Sequence, residues 1–237
     1  MKIAAPYRTQ TKPLWMDILL IVAGIAGVVI FIIFNQQALP DAALDLRYSR
    51  PQISQLARDR LAALDFSAAD YHFVLSFSEN RLPSFFLQQT LGVEAANQKI
   101  AAEALPIYSW QARWFKPLQK EEFYLNLSTT GELVGFTHII PEAAPGTNIS
   151  QAEAQTLAEK FLDENTRWQG RTWERVEASR ATQPGGRVDH TFSWKALDYT
   201  VGASELRYTV TIQGDRLGFM DYWIKIPDTY TRNYSSQ

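Results

Sequence analysis

The chain of 237 residues has no cysteine, only three histidines and no surplus of either charge, with 23 Lys+Arg against 25 Asp+Glu. Without cysteine there is no disulfide framework, no thiolate metal site and no cysteine nucleophile. With the charges so nearly balanced there is no electrostatic footprint for a nucleic acid. His72, His138 and His190 fall far apart, without the i,i+4 spacing that builds a local zinc site. No G-x-S-x-G elbow supplies a nucleophile for Asp189-His190. A phosphate loop is missing too: Gly24 and Gly27 lie in an apolar run, and Gly185-Gly186 leads into Arg187 at a turn, not into a helix. No cofactor is implied. What is abundant is apolar and aromatic, 46% and 13% of the residues, with seven Trp. This is the composition of an ordered protein without evident chemistry.

From Ile18 to Phe34 seventeen residues pass without a polar side chain, and Leu14, Trp15 and Met16 extend the stretch to 21 residues, 14–34. At 1.5 Å per residue the helix is about 31 Å long, the thickness of a bilayer's hydrocarbon core. Asp17 sits near one end, at headgroup level, and Trp15 stands where an interfacial anchor belongs. Lys2, Arg8 and Lys12 precede the span, whereas Asp41 and Asp45 follow it before the first base, Arg47. The positive-inside rule therefore leaves residues 1–13 in the cytoplasm and carries the bulk of the chain across the cell membrane as a single-pass protein. A cleaved signal peptide is the rival reading. The exit Asn35–Pro40 lacks small residues at both recognition positions, so an uncleaved signal anchor is expected, with the lipid bilayer as its partner. Ala23 and Gly27 form a small-xxx-small pair through which two such helices would pack. Outside the anchor, 20 bases stand against 24 acids, a balance of −4 that suits a soluble domain not drawn to an anionic surface.

An internal repeat organises the remainder. Tyr108-Ser109-Trp110 matches Phe192-Ser193-Trp194, Glu122 matches Glu205, the turn Thr130–Phe136 matches Gln213–Phe219, and Ile140-Pro141-Glu142 matches Ile226-Pro227-Asp228, at offsets of 84, 83, 83 and 86 residues. Ile53-Ser54-Gln55 and Ile149-Ser150-Gln151 each open a helical stretch. In the first, Pro51 stands near the start and Ile53, Leu56, Ala57, Leu61 and Leu64 share a face. In the second, Asn148 or Ser150 caps a helix bearing Ala152, Leu157, Ala158, Phe161 and Leu162. Alternating runs follow at Tyr71–Phe77, Phe123–Ser128 and Arg207–Ile212, with hairpin turns at Thr130-Gly131, Pro184–Gly186 and Gln213–Asp215. Ser84–Ala104 reads as an extra, partly buried helical segment of the first copy. The expected fold is α+β: the anchor 14–34, a linker 35–50, a helix-plus-sheet repeat 51–142, a linker 143–148, a second repeat 149–228 and a tail 229–237.

This tandem unit resembles the PepSY-like modules of bacterial exported proteins. With the anchor, Trp114-Phe115-Lys116-Pro117, Leu133–Phe136, Pro141-Glu142 and Asp189–Trp194 in view, residues 10–234 resemble the N-terminal extracytoplasmic region of bacterial CPBP-type intramembrane metalloproteases. Those belong to the CAAX-processing and bacteriocin-immunity group. The resemblance implies a metal site made by a Glu pair, an Arg four residues on, and His-bearing membrane helices. Here the Glu pair is Glu121-Glu122, the position needing Arg is Asn126, and the pattern around them is that of an exported strand. By this resemblance the chain is the non-catalytic part, with no metal of its own, gating or recruiting for a membrane protease. In the alternative it leads a protease whose catalytic helices lie beyond Gln237. A peptide or membrane-protein partner is implied, because one helix on one face of a sheet leaves the other face or an edge available.

The tryptophans divide into two sets. Trp110, Trp114, Trp194 and Trp223 sit on strands at or near repeat-equivalent places, which suits packing against the helices. If both copies share one fold, Trp110 and Trp194 are equivalent, Gly131 and Gly214 make equivalent turns, and Leu56/Leu61 and Leu157/Phe161 are buried. Trp168 and Trp173 flank the exit of the second helix beside Arg167 and Arg171. These four either form an aromatic and cationic surface for a peptide or lipid headgroup or belong to the packing.

Overall fold

A computed structural model describes residues 13–39, 44–166 and 170–235 of the chain. The basic residues before the apolar helix and Asp41 after it lie outside the described residues. Helix α1 (Leu14–Ala38) is long and apolar enough to cross a membrane, and residues Leu14–Asn35 have no share in the interior of the fold. Its C-terminal end lies against α4, and Asn97 Nδ2 donates to the Leu39 carbonyl at 2.8 Å.

Beyond α1 come α2 (Arg50–Ala63), β1 (His72–Glu79), α3 (Arg81–Leu91), α4 (Val93–Ala102), β2 (Tyr108–Phe115), β3 (Glu122–Ser128) and β4 (Leu133–Ile139). Then follow α5 (Gln151–Thr166), β5 (Trp173–Thr182), β6 (Val188–Ala196), β7 (Glu205–Gln213), β8 (Arg216–Lys225) and α6 (Asp228–Ser235). The segment 229–237, expected as a tail, thus contributes most of a helix. Its Tyr230 packs edge-on against Phe86 and donates to Gln89.

Both long helices of the sheet domain start at capping boxes, in which a serine and the side chain three residues on satisfy each other's backbone N–H groups. Ser49 pairs with Gln52, and Ser150 with Glu153. Ser150 therefore caps α5 as anticipated, while Ser54, matched to it in sequence, lies a turn inside α2. The extra segment forms two helices, α3 and α4, broken at Gly92, whose φ of 82° suits a residue without a Cβ.

The strands make one antiparallel sheet of eight, in the order β1-β2-β3-β4-β8-β7-β6-β5. The expectation of a separate sheet for each copy is corrected here. Two four-strand meanders join through their last strands, with Gly135 opposite Asp221, Phe136 opposite Met220 and Thr137 opposite Phe219. The physical reason is edge removal: joining β4 to β8 pairs two rows of backbone groups that would otherwise stand open.

Alternation then decides which face is covered. Phe123, Leu125 and Leu127 of β3, and Leu206, Tyr208, Val210 and Ile212 of β7, are buried, while the residues between them stay half-exposed. Helix α2 packs on β2 and β3, and α5 on β6 and β7. Ile53, Ala57 and Leu61 of α2 and Ala154 and Ala158 of α5 are buried, whereas Leu56, Leu157 and Phe161 are only partly so.

Each meander carries a bulge between its third and fourth strands, at Asn126/Leu127 and at Thr211/Ile212. Counted from the bulge, Trp114 opposite Phe123 corresponds to Trp194 opposite Tyr208. The sequence match of Trp110 to Trp194 is therefore displaced by four residue pairs. Phe136 is 1% exposed on the covered face, but Phe219, its sequence match, faces the other way beside Thr137. Gly131 and Gly214 do both take positive φ at the β3–β4 and β7–β8 turns, at 88° and 66°.

Candidate functional site

The face away from α2 and α5 carries a cross-strand row that reaches over seven of the eight strands. Ser76, Gln111, Asn126, Gly135, Asp221, Thr209 and Ser193 are successive partners on seven neighbouring strands. Hydroxyls pair with one another at one end of the row and beside it: Ser193 with Thr209 at 3.0 Å, and Thr191 with Thr211 at 2.8 Å. Three ion pairs lie on this face as well. Arg113 grips Glu122 through Nε and Nη2 at 3.0 and 2.7 Å, Arg207 reaches Glu205 at 2.6 Å, and Lys195 reaches Glu174 at 3.0 Å.

Asp221 differs. It stands at the seam between the meanders, and among the described residues no ion pair reaches its carboxylate. Burial pushes this carboxyl up to about 6, only partly offset by a hydrogen bond from the Tyr222 backbone. Gly135 makes room for it. A Cβ there would fall 2.9 Å from Asn126 Nδ2 and 3.2 Å from Asp221 Oδ1, so the side chains of β3 and β8 lean in over a bare stretch of β4. Asn126 Oδ1 is buried without a hydrogen-bond partner. Around these groups lies a pocket of about 310 Å³, lined also by Gln111, Ser109, Glu79 and Trp223. The Trp223 indole is steadied by its N–H, which donates to Thr209 Oγ1 at 3.2 Å. The arrangement offers acceptors, the unpaired Asp221 carboxylate with Glu79 across from it, and an aromatic plane. These are groups that can bind a polar or cationic ligand.

Of the four residues read either as an aromatic and cationic surface or as packing, two are described. Arg167 and Trp168 fall outside the described residues. The side chain of Arg171 is 5% exposed and joins Glu103 at the end of α4 to Asp198, at 2.7 and 3.0 Å. It ties the two halves of the chain together. Trp173 begins β5 half-buried, with its ring against Tyr208 and Tyr222.

The histidines and the Glu pair have local partners. Asp189 is held by Arg187 and Gln183, and His190 Nε2 meets the Ile149 carbonyl at 3.1 Å, so Asp189-His190 is not an orienting dyad. His138 stacks on Phe123 and shares Glu121 with Tyr71. Burial holds its imidazole below the usual range, against the pull of Glu121. Strand alternation sends Glu122 to the opposite face, toward Arg113. Among the described residues no cluster of three or more acids and histidines is placed to hold a metal ion.

The edges of the sheet are unlike each other. β5 is guarded by Glu174, Arg175, Glu177 and Arg180 and by a bulge, whereas β1 has one charged residue, Glu79, and exposes Val74 and Phe77.

Sequence reasoning missed Asp221 and Asn126. The signal available was the alternation of β3 and β8, which puts both on the polar face, but nothing local marks their meeting over Gly135. No protein-family model, curated protein or solved structure significantly matches the chain.

Proposed function

We propose that the chain is a membrane-anchored, non-catalytic binding module that presents the bare face of its sheet to a protein partner on the extracytoplasmic side. The observation that carries this reading is the one-sided covering of the sheet. Helices α2 and α5 pack on one face of the eight-stranded sheet, and the other face holds a polar pocket at the seam between the meanders. The anchor reading is supported by α1, whose side chains are exposed along its apolar length, as a lipid-facing helix requires. The orientation follows from the basic residues before the span and the acids after it.

The two meanders are two copies of one PepSY-like unit in this proposal. Capping boxes at the helix starts, bulges at corresponding strands and the Trp114/Trp194 correspondence support it. By the resemblance to CPBP-type proteases, the partner is a membrane protease that the module gates or recruits.

Two measurements test the proposal. Because the native chain lacks cysteine, a single Ser179→Cys on β5 reports topology cleanly; labelling by an impermeant maleimide in intact cells is expected, and labelling only after lysis would reverse the orientation. A photoreactive residue at Thr211, on the bare face, is expected to crosslink one discrete protein in native membranes, and the same residue at Gln155, on the exposed side of α5, is not. Equal crosslinking at both, or none at Thr211, would reject the face as the binding surface.

A further inference from the structure

Among the described residues no counter-ion reaches Asp221, although charged side chains on neighbouring strands of the bare face are paired with one another. Arg113 is taken by Glu122 and Arg207 by Glu205, so neither is left for it. A buried carboxylate without a cation is costly, and such groups concentrate where a ligand completes them. Asn126 adds a second unsatisfied acceptor, since its Oδ1 is buried and unpartnered. Gly135 keeps the space between them open. Trp223 gives the pocket a flat wall, and Gln111 and Ser109 add polar atoms to its lining.

We propose that this pocket receives the guanidinium of an arginine side chain carried by the protein partner, a deepening that rests on the binding-module reading above. A guanidinium is planar, offers donors in a fixed fork that suits a carboxylate, and stacks on an indole face; an ammonium is a compact, strongly hydrated point charge. Burial, which pushes the Asp221 carboxyl up to about 6, makes an arriving cation more valuable, because the charge it neutralises is poorly solvated. The location fits a partner in the same membrane. Asn80 and Pro106, which bracket the α3–α4 insert, line the pocket, and Asn97 of that insert holds the exit of α1. The pocket thus lies at the anchor's end of the sheet.

The test uses the full chain, ¹⁵N-labelled, in nanodiscs of phosphatidylcholine, titrated with Nα-acetyl-arginine amide and with its neutral isostere, Nα-acetyl-citrulline amide. Saturable shifts of the Gly135 and Tyr222 amides are expected with the arginine probe only. Affinity is expected to fall at least tenfold in Asp221→Asn, and also in Gly135→Ala, which fills the notch while leaving the carboxylate. Equal shifts with both probes, no shift with either, or undiminished binding in both variants would overturn the proposal. So would the same shifts on adding phosphatidylethanolamine without arginine, which would assign the pocket to a lipid headgroup. If the Thr211 crosslink persists while the arginine probe fails, the guanidinium is rejected and the binding-module reading stands.

Discussion

On its covered face the sheet is aromatic and closed: Trp114 and Trp194 are 2% and 3% exposed, and Phe136 and Tyr208 have almost no contact with solvent. On its bare face the same strands carry serine, threonine, glutamine and ion pairs, most of them in partial contact with solvent. Packing accounts for the first face, since burial of large apolar side chains is the main favourable term in folding. Solvation accounts for most of the second, where matched charges at a surface contribute little. Asp221 fits neither description. It lies on the solvated face yet is desolvated by its neighbours, and among the described residues no counter-ion reaches it.

Substitutions separate the two faces. Trp114→Ala or Trp194→Ala should each lower stability by roughly 3–5 kcal/mol in urea unfolding of the chain in detergent micelles, as loss of a buried aromatic does. Two losses of about 0.5 kcal/mol or less would place these rings on a surface and dissolve the contrast.

Asp221→Asn should act in the opposite sense. Its carboxyl is raised to about 6 in the folded chain, so the native state binds more protons than the unfolded one between roughly pH 4 and 6, and stability falls as pH rises through that window. Removing the charge should therefore stabilise the chain at pH 8 by on the order of 1–3 kcal/mol, discounted from the full shift because the group keeps some solvent contact, and by little at pH 4. The matched pairs Arg113–Glu122 and Arg207–Glu205 do not offset this, and Glu79 across the pocket would only add repulsion. A loss of stability at pH 8 would mean that the carboxylate is held by the protein itself.

The smallest effect belongs to the hydroxyl ladder. Thr211→Val removes one partner of a half-exposed hydroxyl pair, and a change within about 0.5 kcal/mol is expected by the same unfolding assay. A larger loss would show that the bare face contributes to folding as the covered face does.

How far the chain could be read in advance follows the same division. The long apolar helix, the two capped helices and the alternating strands were legible because each depends on residues close in sequence, such as Ser150 with Glu153 or Phe123 with Leu125 and Leu127. The seam between β4 and β8 was not. Its register depends on strands more than eighty residues apart and leaves no local mark, so one sheet looked like two. The repeat misled in detail because the connection from Leu127 to Leu133 holds one residue more than that from Ile212 to Leu217. A one-residue slip turns Phe136 inward and Phe219 outward. Arg171 looked like a surface cation because nothing in the sequence places Glu103 beside it. Asp221 was invisible for a like reason: its desolvation is made by neighbours on β3, β4 and β7.

The most direct test is a carbon-13 titration of the Asp221 side-chain carboxyl in the full chain, with and without Nα-acetyl-arginine amide. The account predicts a midpoint at about 6 that moves down when the arginine probe is present, because a bound cation favours the ionised form. A midpoint near the ordinary aspartate value of about 4, unchanged by the probe, would contradict it.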